Sequence, residues 1–178
     1  MRYFISCSGE KSSISNEEST ISNLKSLNGF PELYEARKEL INLLGIQLNW
    51  NQTLPAYKLY NGRVFKKVSL ENWTKRNSEI IIVSALFGLI KHDEFLPDYN
   101  LIMTDKLPGK NELISSYWKN KNIARFVSKG TDVDLLFSKY RKAFNTKGNS
   151  IAIEPNVLWR DKYGSHKGEW LNEQLNQI

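Results

Sequence analysis

The sequence is poor in the residues that build disulfides and metal sites. It contains one cysteine and two histidines among 178 residues. A single cysteine excludes an internal disulfide and a cysteine-based zinc site. The two histidines, His92 and His166, are too far apart in the chain to form an HxxxH pair. We therefore predict no metal and no cofactor.

Long apolar runs are also missing. No segment approaches the ~18 consecutive apolar residues that a membrane-spanning helix needs. The apolar stretch near the N-terminus is too short to resemble a signal peptide. We therefore expect a cytoplasmic protein with no membrane partner, and the sequence carries no signature of a particular oligomeric state.

What the chain does have is the composition of one folded basic domain. Hydrophobic residues make up 40% and aromatic residues 12%, which is typical of a globular protein. A length of 178 residues without an internal repeat predicts a single domain over residues 1–178. The net charge of +6 favours a polyanionic partner such as nucleic acid, and the alternative is a lysine-rich solvated surface.

Strand and helix patterns alternate along the chain. Residues 79–85 carry a continuous β-branched run, which is typical of a strand covered on both faces. Further strands are predicted at residues 2–7 and 150–153, and helices at 31–44, 64–75, 111–127 and 170–175. The alternation predicts a three-layer α/β domain with a mixed or mostly parallel central sheet flanked by helices.

In such a fold, ligands bind beyond the carboxyl ends of the strands. The first strand opens into a segment containing Ser6, Cys7 and Lys11. Small hydroxyls, a glycine and a lysine at this position suit an anion held by backbone N–H groups, although the Walker spacing is absent. The alternative is an exposed turn in which Cys7 is a small buried thiol.

The second strand end is richer in polar and aromatic groups. Ser84 closes the strand, and Gly88 permits close approach of the backbone. His92 or Asp93 is the acid–base candidate, and Tyr99 offers a ring for stacking or a hydroxyl for hydrogen bonding. The alternative is that His92 is a solvated loop residue and that Tyr99 only fixes and buries the loop.

Basic residues recur on the predicted helices, interleaved with aromatic residues. This pattern is typical of phosphate contacts with stacking platforms, and the alternative is that the aromatic residues belong to the core. The nucleic-acid-binding candidates are Lys66, Lys67, Lys119, Lys121, Arg125, Arg141 and Lys142.

Three ordered segments, at residues 4–11, 55–65 and 82–103, together resemble the peroxide stress protein YaaA family and its shorter relatives. The middle segment contains two further ligand-binding candidates, Tyr60 and Gly62. The chain departs from the family pattern at Asn100 and Ile102, where the family has arginine and glutamate.

The resemblance implies an α/β fold, DNA binding and a role in limiting oxidative damage to DNA. Our leading hypothesis is therefore a nucleic-acid-binding protein that prefers DNA to RNA. The alternative is an enzyme acting on a nucleobase or nucleoside, such as an N-glycosidase or base transferase, that holds a nucleotide-like small molecule in one cleft. That cleft would be formed by Ser6, Lys11, Tyr60, Ser84 and Tyr99. A third hypothesis is a non-catalytic interaction module.

Overall fold

The computed structural model describes residues 1–16, 18–75, 79–128, 130–144 and 164–177. Within these ranges the strands are Arg2–Ser6 (β1), Thr53–Pro55 (β2), Glu79–Ser84 (β3), Gly88–Lys91 (β4), Phe95–Pro97 (β5) and Val133–Asp134 (β6). The α-helices are Tyr34–Leu44 (α1), Ala56–Leu59 (α2), Leu70–Thr74 (α3), Ile114–Asn120 (α4), Ser138–Arg141 (α5) and Ser165–Asn176 (α6). Short 3₁₀ helices occupy Leu24–Ser26, Pro31–Leu33, Phe65–Lys67 and Ile123–Phe126.

The central sheet has the strand order β4-β3-β1-β6. β1 pairs in parallel with both β3 and β6, while β4 turns back and pairs antiparallel with β3. β2 and β5 form a separate antiparallel pair. The predicted α/β class is therefore confirmed, with a mixed and mostly parallel central sheet.

Neighbouring residues of β1 show how both faces of the sheet are covered. Tyr3 contacts the ring of Trp170 on α6, with the ring centroids 6.3 Å apart. Arg2 lies on the opposite face, since side chains alternate along a strand. Its guanidinium donates to the carbonyl oxygen of Phe126, in the 3₁₀ helix that follows α4, at 2.9 Å. Helical segments therefore flank the sheet on both sides.

Helix α1 anchors the β3–β4 turn from one side. The helix predicted at 31–44 consists of the 3₁₀ helix Pro31–Leu33 followed by α1, and its end is confirmed because Gly45 adopts a left-handed conformation with φ of 63°. The buried Arg37 side chain donates to the carbonyl oxygens of Leu27, Phe87 and Leu89 at 2.8, 2.9 and 2.7 Å. Burial lowers the Arg37 pKa to about 10, so the guanidinium stays charged at neutral pH.

Two predicted helices are shorter than the periodicity indicated. The segment 64–75 contains a 3₁₀ helix followed by α3, because Val68 is extended and the Ser69 hydroxyl caps α3 by accepting from the Asn72 N–H. The segment 111–127 yields α4 and a 3₁₀ helix, because Asn122 adopts a left-handed conformation with φ of 53°. Apolar spacing alone does not reveal such interruptions.

The C-terminal helix predicted at 170–175 is confirmed within α6. The strand predicted at 150–153 lies outside the described residues. Within the described ranges, no helix combines the length and the apolar character that crossing a bilayer requires.

Candidate functional site

The carboxyl ends of β1 and β3 lie side by side. Ser6 is paired with Val83, and the N–H of Cys7 donates to the Val83 carbonyl oxygen at 3.0 Å. Cys7 and Ser84 are both buried. The two strand ends that the sequence indicated therefore form one neighbourhood, as the parallel pairing requires.

Three hydroxyl groups meet at this strand end. The Tyr60 and Tyr99 hydroxyls are 2.6 Å apart, and the Ser84 hydroxyl lies 2.8 Å from that of Tyr99. The Tyr60 hydroxyl also donates to Ser84 Oγ at 3.4 Å, and the Phe87 N–H donates to the same oxygen at 3.1 Å. All three hydroxyl-bearing residues are buried. They satisfy one another's hydrogen-bonding capacity away from water.

The thiol of Cys7 joins this group through Tyr140. The sulfur lies 3.4 Å from the Tyr140 hydroxyl, which donates to the Cys7 carbonyl oxygen at 3.0 Å. Burial raises the pKa of the Cys7 thiol, against smaller opposing effects of the Tyr140 hydrogen bond and the Lys11 charge. Burial also raises the pKa values of Tyr60, Tyr99 and Tyr140. The thiol and phenols are thus held neutral at physiological pH.

Lys11 brings a positive charge to the edge of this group. It forms an isolated antiparallel bridge with Tyr60, and its Nζ lies 4.4 Å from the centre of the Tyr99 ring. Desolvation lowers the pKa of Lys11, while the charge of Asp98 acts in the opposite direction. The contact with the Tyr99 ring is a cation–π interaction. We call Cys7, Lys11, Tyr60, Ser84, Tyr99 and Tyr140 the hydroxyl–thiol cluster.

Ser6 and Gly62 belong to an adjoining cavity. The Ser6 hydroxyl accepts from the Phe137 N–H at 3.0 Å. Gly62 allows its loop to approach Ser8 closely, since a Cβ atom there would overlap the Ser8 hydroxyl. The cavity has a volume of about 290 Å³ and is lined by Ser6, Cys7, Ser8, Glu10, Gly62, Arg63, Val64, Phe65, Phe137 and Gly164. We call it the strand-end cavity.

Gly88 leaves room for the ring of Trp118 to pack against the backbone. It pairs with Ser84 and has a φ of 70°, and a Cβ atom placed on it would lie 2.8 Å from the Trp118 ring. The Trp118 indole N–H donates to the carbonyl oxygen of Ala85 at 2.7 Å. The close approach expected at Gly88 is therefore made by Trp118.

Asp93 and His92 lie at the other end of β3. β4 carries the chain back along β3, so that Lys91 pairs with Ile81 and the His92 N–H donates to the Ile80 carbonyl oxygen at 3.1 Å. Ser84 is four residue steps along the strand from Ile80, or about 13 Å. Asp93 is exposed there and lies beside a larger cavity of about 630 Å³. It is not brought together with the hydroxyl–thiol cluster.

Some of the basic candidates take part in ion pairs. Lys66 pairs with Glu10 at 3.3 Å and Lys67 with Glu169 at 2.6 Å, with all four side chains largely exposed. Both lysines lie on the 3₁₀ helix that directly follows Val64 at the strand-end cavity.

A second basic group lies on α4 and the 3₁₀ helix after it. Lys121 pairs with Glu39 of α1 and also approaches the Tyr117 ring. Lys119 and Arg125 are exposed. The basic candidates are thus distributed between at least two parts of the surface.

Arg141 has a structural partner, whereas Lys142 is exposed. Arg141 Nε donates to the Asp134 carboxylate at 2.7 Å, and Asp134 is buried in β6. Loss of the Arg141 guanidinium would deprive the buried Asp134 carboxylate of this ion pair, which is costly for a buried charge. Arg141 is therefore committed to the fold, and Lys142 remains a surface candidate.

Sequence reasoning missed Tyr140 and Arg63 as site residues. Tyr140 is 133 positions from Cys7 in the chain, and no local pattern links the two. Arg63 lines the strand-end cavity directly after Gly62, where an arginine beside a turn glycine was the available signal. Among the described residues, no group of three or more histidine, cysteine, aspartate or glutamate side chains is arranged to hold a metal ion.

Comparison with known proteins identifies relatives over most of the chain. A family model described as "Peroxide stress protein YaaA" matches residues 7–167. A UPF0246 protein of Streptococcus uberis is 22% identical over 128 residues, which cover 69% of this chain and 53% of the relative. A UPF0246 protein of Clostridioides difficile is 30% identical over 96 residues, which cover 50% of this chain and 39% of the relative. A UPF0246 protein of Fusobacterium nucleatum is 26% identical over 141 residues, which cover 71% of this chain and 55% of the relative. The chain thus spans about half the length of the curated relatives it matches.

Proposed function

The chain belongs to the peroxide stress protein YaaA family, and from that premise we propose that it is a cytoplasmic nucleic-acid-binding protein. It binds DNA in preference to RNA, mainly through phosphate groups, and thereby limits oxidative damage to DNA. The surface that carries this function is the mouth of the strand-end cavity.

One observation carries the proposal. Ser6, Ser8 and Arg63 line the strand-end cavity, and Lys66 and Lys67 extend from the 3₁₀ helix beside it. Hydroxyls and guanidinium groups are the usual donors to phosphate oxygens, and flexible lysines add charge around them. The net charge of +6 favours the same partner.

The existing ion pairs at this surface do not block phosphate binding. The Lys66–Glu10 and Lys67–Glu169 pairs are exposed, and exposed pairs contribute only about 0–1 kcal/mol each. A phosphate can replace the carboxylates at small cost. Arg141 differs because its partner Asp134 is buried, so we leave Arg141 out of the proposed interface.

The test is fluorescence anisotropy with labelled 20-mer duplex DNA, single-stranded DNA and RNA, titrated between 50 and 200 mM salt. We expect binding that weakens steeply as salt rises, since phosphate contacts release counterions. The double variant Lys66→Glu and Lys67→Glu should weaken duplex binding at least about tenfold. It should also reduce the slope of log K against log salt by about 2, because each phosphate contact contributes about 0.9.

The matched control is Lys25→Glu with Lys110→Glu, two exposed lysines elsewhere. Both double variants carry a net charge of +2 in place of +6. The control should weaken binding less than about threefold, because only the general field changes. Absence of binding at 50 mM salt, or equal losses in both double variants, would falsify this surface as the interface.

Protection of DNA needs a separate assay. Supercoiled plasmid exposed to hydrogen peroxide and ferrous iron should be nicked more slowly with wild-type protein than with the Lys66→Glu and Lys67→Glu variant. Equal nicking with both proteins would mean that DNA binding through Lys66 and Lys67 does not protect the DNA.

A nucleobase or nucleoside enzyme is the second candidate, favoured by the convergence of Lys11, Tyr60, Ser84 and Tyr99. The same geometry counts against catalysis at this cluster, because these hydroxyls hydrogen-bond one another and none of the four residues lines the strand-end cavity. Release of free base from DNA or nucleosides, lost in Ser84→Ala, would support the enzyme; no release at all would leave the binding function alone.

A further inference from the structure

The larger cavity lies where β3 begins and β4 ends, away from the hydroxyl–thiol cluster. Its volume is about 630 Å³, within the range of about 300–1,000 Å³ that small-molecule sites occupy. Its walls combine apolar residues of both sheets with aromatic rings and a rim of charged side chains. The lining residues are Pro55, Tyr57, Trp73, Thr74, Lys75, Glu79, Ile80, Ile81, Lys91, His92, Asp93 and Phe95. We call it the amino-end cavity.

A stack of three aromatic rings reaches this cavity. The Phe65 and Trp73 rings are 5.6 Å apart with an interplanar angle of 13°, and the Trp73 and Tyr57 rings are 5.8 Å apart at 16°. Phe65 and Trp73 are buried, whereas Tyr57 is only partly buried and lines the cavity. A planar ligand ring can therefore continue the stack at Tyr57, as bases do on aromatic side chains in nucleic-acid complexes.

His92 adds a hydrogen-bond acceptor to the cavity wall. Its Nε2 lies 2.8 Å from the carbonyl oxygen of Trp73, and because a carbonyl only accepts, Nε2 carries the hydrogen. In the neutral ring Nδ1 is then an acceptor. His92 is 8% exposed and lines the cavity, and Nδ1 has no hydrogen-bond partner in the part of the chain that the structure describes. Nδ1 is not among the fully enclosed side-chain polar atoms of the described residues, so it faces accessible space beside the aromatic stack. This acceptor can therefore accept from a donor on a ligand ring.

The rim indicates the ligand's charge. Glu79 and Asp93 are exposed carboxylates that accept hydrogen bonds from hydroxyl groups and repel phosphate. Lys91 is an exposed cation on the same rim, whereas Lys75 Nζ is held by the Leu175 carbonyl oxygen at 2.7 Å. The mixed charges favour a neutral ligand that carries hydroxyl groups.

We propose that the amino-end cavity binds a neutral nucleoside. Its heterocycle stacks on Tyr57, its amino group donates to His92 Nδ1, and its sugar hydroxyls meet the carboxylates of Asp93 and Glu79. This site is separate from the proposed nucleic-acid surface and goes beyond it, since it recognises a ring and hydroxyls in place of phosphates.

The test is isothermal titration calorimetry of the full chain with adenosine and with purine riboside, which lacks the amino group. Adenosine should bind one-to-one and at least about tenfold more tightly than purine riboside, because only adenosine can donate to Nδ1. His92→Gln keeps an N–H directed at the Trp73 carbonyl and removes the Nδ1 acceptor. In this variant the adenosine preference should disappear.

Matched variants complete the design. Tyr57→Leu should weaken both ligands at least about fivefold, because it removes the stacking face. His166→Gln, an exposed histidine on α6, should leave both affinities unchanged, and so should the Lys66→Glu and Lys67→Glu variant. No adenosine binding at millimolar concentration, or equal binding of adenosine and purine riboside to wild-type protein, overturns the proposal without relying on any variant to fold.

Discussion

The two ends of strand β3 are built differently, although both are rich in polar and aromatic groups. At the carboxyl end, Tyr60, Ser84 and Tyr99 hydrogen-bond one another in a buried cluster. At the amino end, His92 presents an acceptor to a cavity of about 630 Å³. Convergence of reactive groups therefore does not by itself make a binding site. A site also needs space and a polar atom that the fold leaves for a ligand.

The largest effect on stability is expected at Gly88, which supports the closed carboxyl end. Gly88→Ala adds a Cβ atom at a φ of 70° and 2.8 Å from the Trp118 ring. Left-handed strain of about 1–2 kcal/mol and overpacking of about 1–3 kcal/mol should together lower the free energy of unfolding by about 2–5 kcal/mol. Urea denaturation followed by circular dichroism measures this change.

Gly109 provides the matched control for Gly88→Ala. It has a φ of 68°, and a Cβ atom there would have no neighbour within 4 Å. Gly109→Ala should cost only the backbone strain, about 1–2 kcal/mol. Equal losses of unfolding free energy at both positions would show that the Trp118 ring shifts easily and that the carboxyl end of β3 is less tightly packed than we infer.

The next effect concerns the hydroxyl network itself. Tyr99→Phe removes the hydroxyl that lies within hydrogen-bonding distance of both Tyr60 and Ser84. It should destabilise the protein by about 1–3 kcal/mol, because buried partners lose their hydrogen bonds. A double-mutant cycle with Tyr60→Phe should show favourable coupling between the two hydroxyls in the wild-type protein. Additive losses would mean that the network is not formed in solution.

The pH dependence of stability tests the neutral state of the cluster. Burial raises the pKa of Cys7, so the folded thiol keeps its proton at pH values where the unfolded thiol, with a pKa of about 8.5, has lost it. Stability should therefore fall as pH rises above about 8.5, with a slope of up to about 1.4 kcal/mol per pH unit.

Cys7→Ala isolates this contribution. Lys11 has a lowered pKa and changes stability in the opposite direction with rising pH, but it is present in both proteins. The difference between the wild-type and Cys7→Ala curves should decline between pH 8.5 and 9.5, the window just above the unfolded thiol's pKa. A flat difference across that range contradicts a buried, neutral thiol.

The smallest effect is expected at the amino end. Asp93 is exposed, and Asp93→Asn should change the free energy of unfolding by less than about 0.5 kcal/mol. Adenosine affinity should fall only a few-fold, since the amide oxygen still accepts a hydrogen bond. A loss above about 2 kcal/mol in unfolding would show that this rim also belongs to the closed structure.

The sequence predicted the strands of the site better than their connections. The strand predicted at 79–85 corresponds closely to β3, because a strand buried on both faces needs no partner information to be recognised. The positions of His92 and Asp93 were harder to predict from the sequence, since Gly88 permits either a loop or a hairpin. The hairpin that forms moves His92 and Asp93 to the opposite end of β3.

The hydroxyl–thiol cluster was partly predictable for a related reason. Ser6, Lys11, Tyr60, Ser84 and Tyr99 were expected to surround one cleft. The last four lie together in a closed cluster, whereas Ser6 lines the adjoining strand-end cavity. Their mutual hydrogen bonds depend on side-chain orientation, which residue types and spacing do not specify. Tyr140 joins from a distant helix, and only tertiary packing places it beside Cys7.

The central claim is that phosphate-bearing nucleic acid contacts the carboxyl end and leaves the amino end untouched. Amide chemical shifts of isotope-labelled protein, recorded during titration with a 20-mer duplex DNA at low salt, test it most directly. We predict shifts at Ser8, Gly62, Arg63 and Lys66 that saturate together, with no change at Asp93. Shifts concentrated at Asp93 and its neighbours, or no shifts at all, would contradict the account.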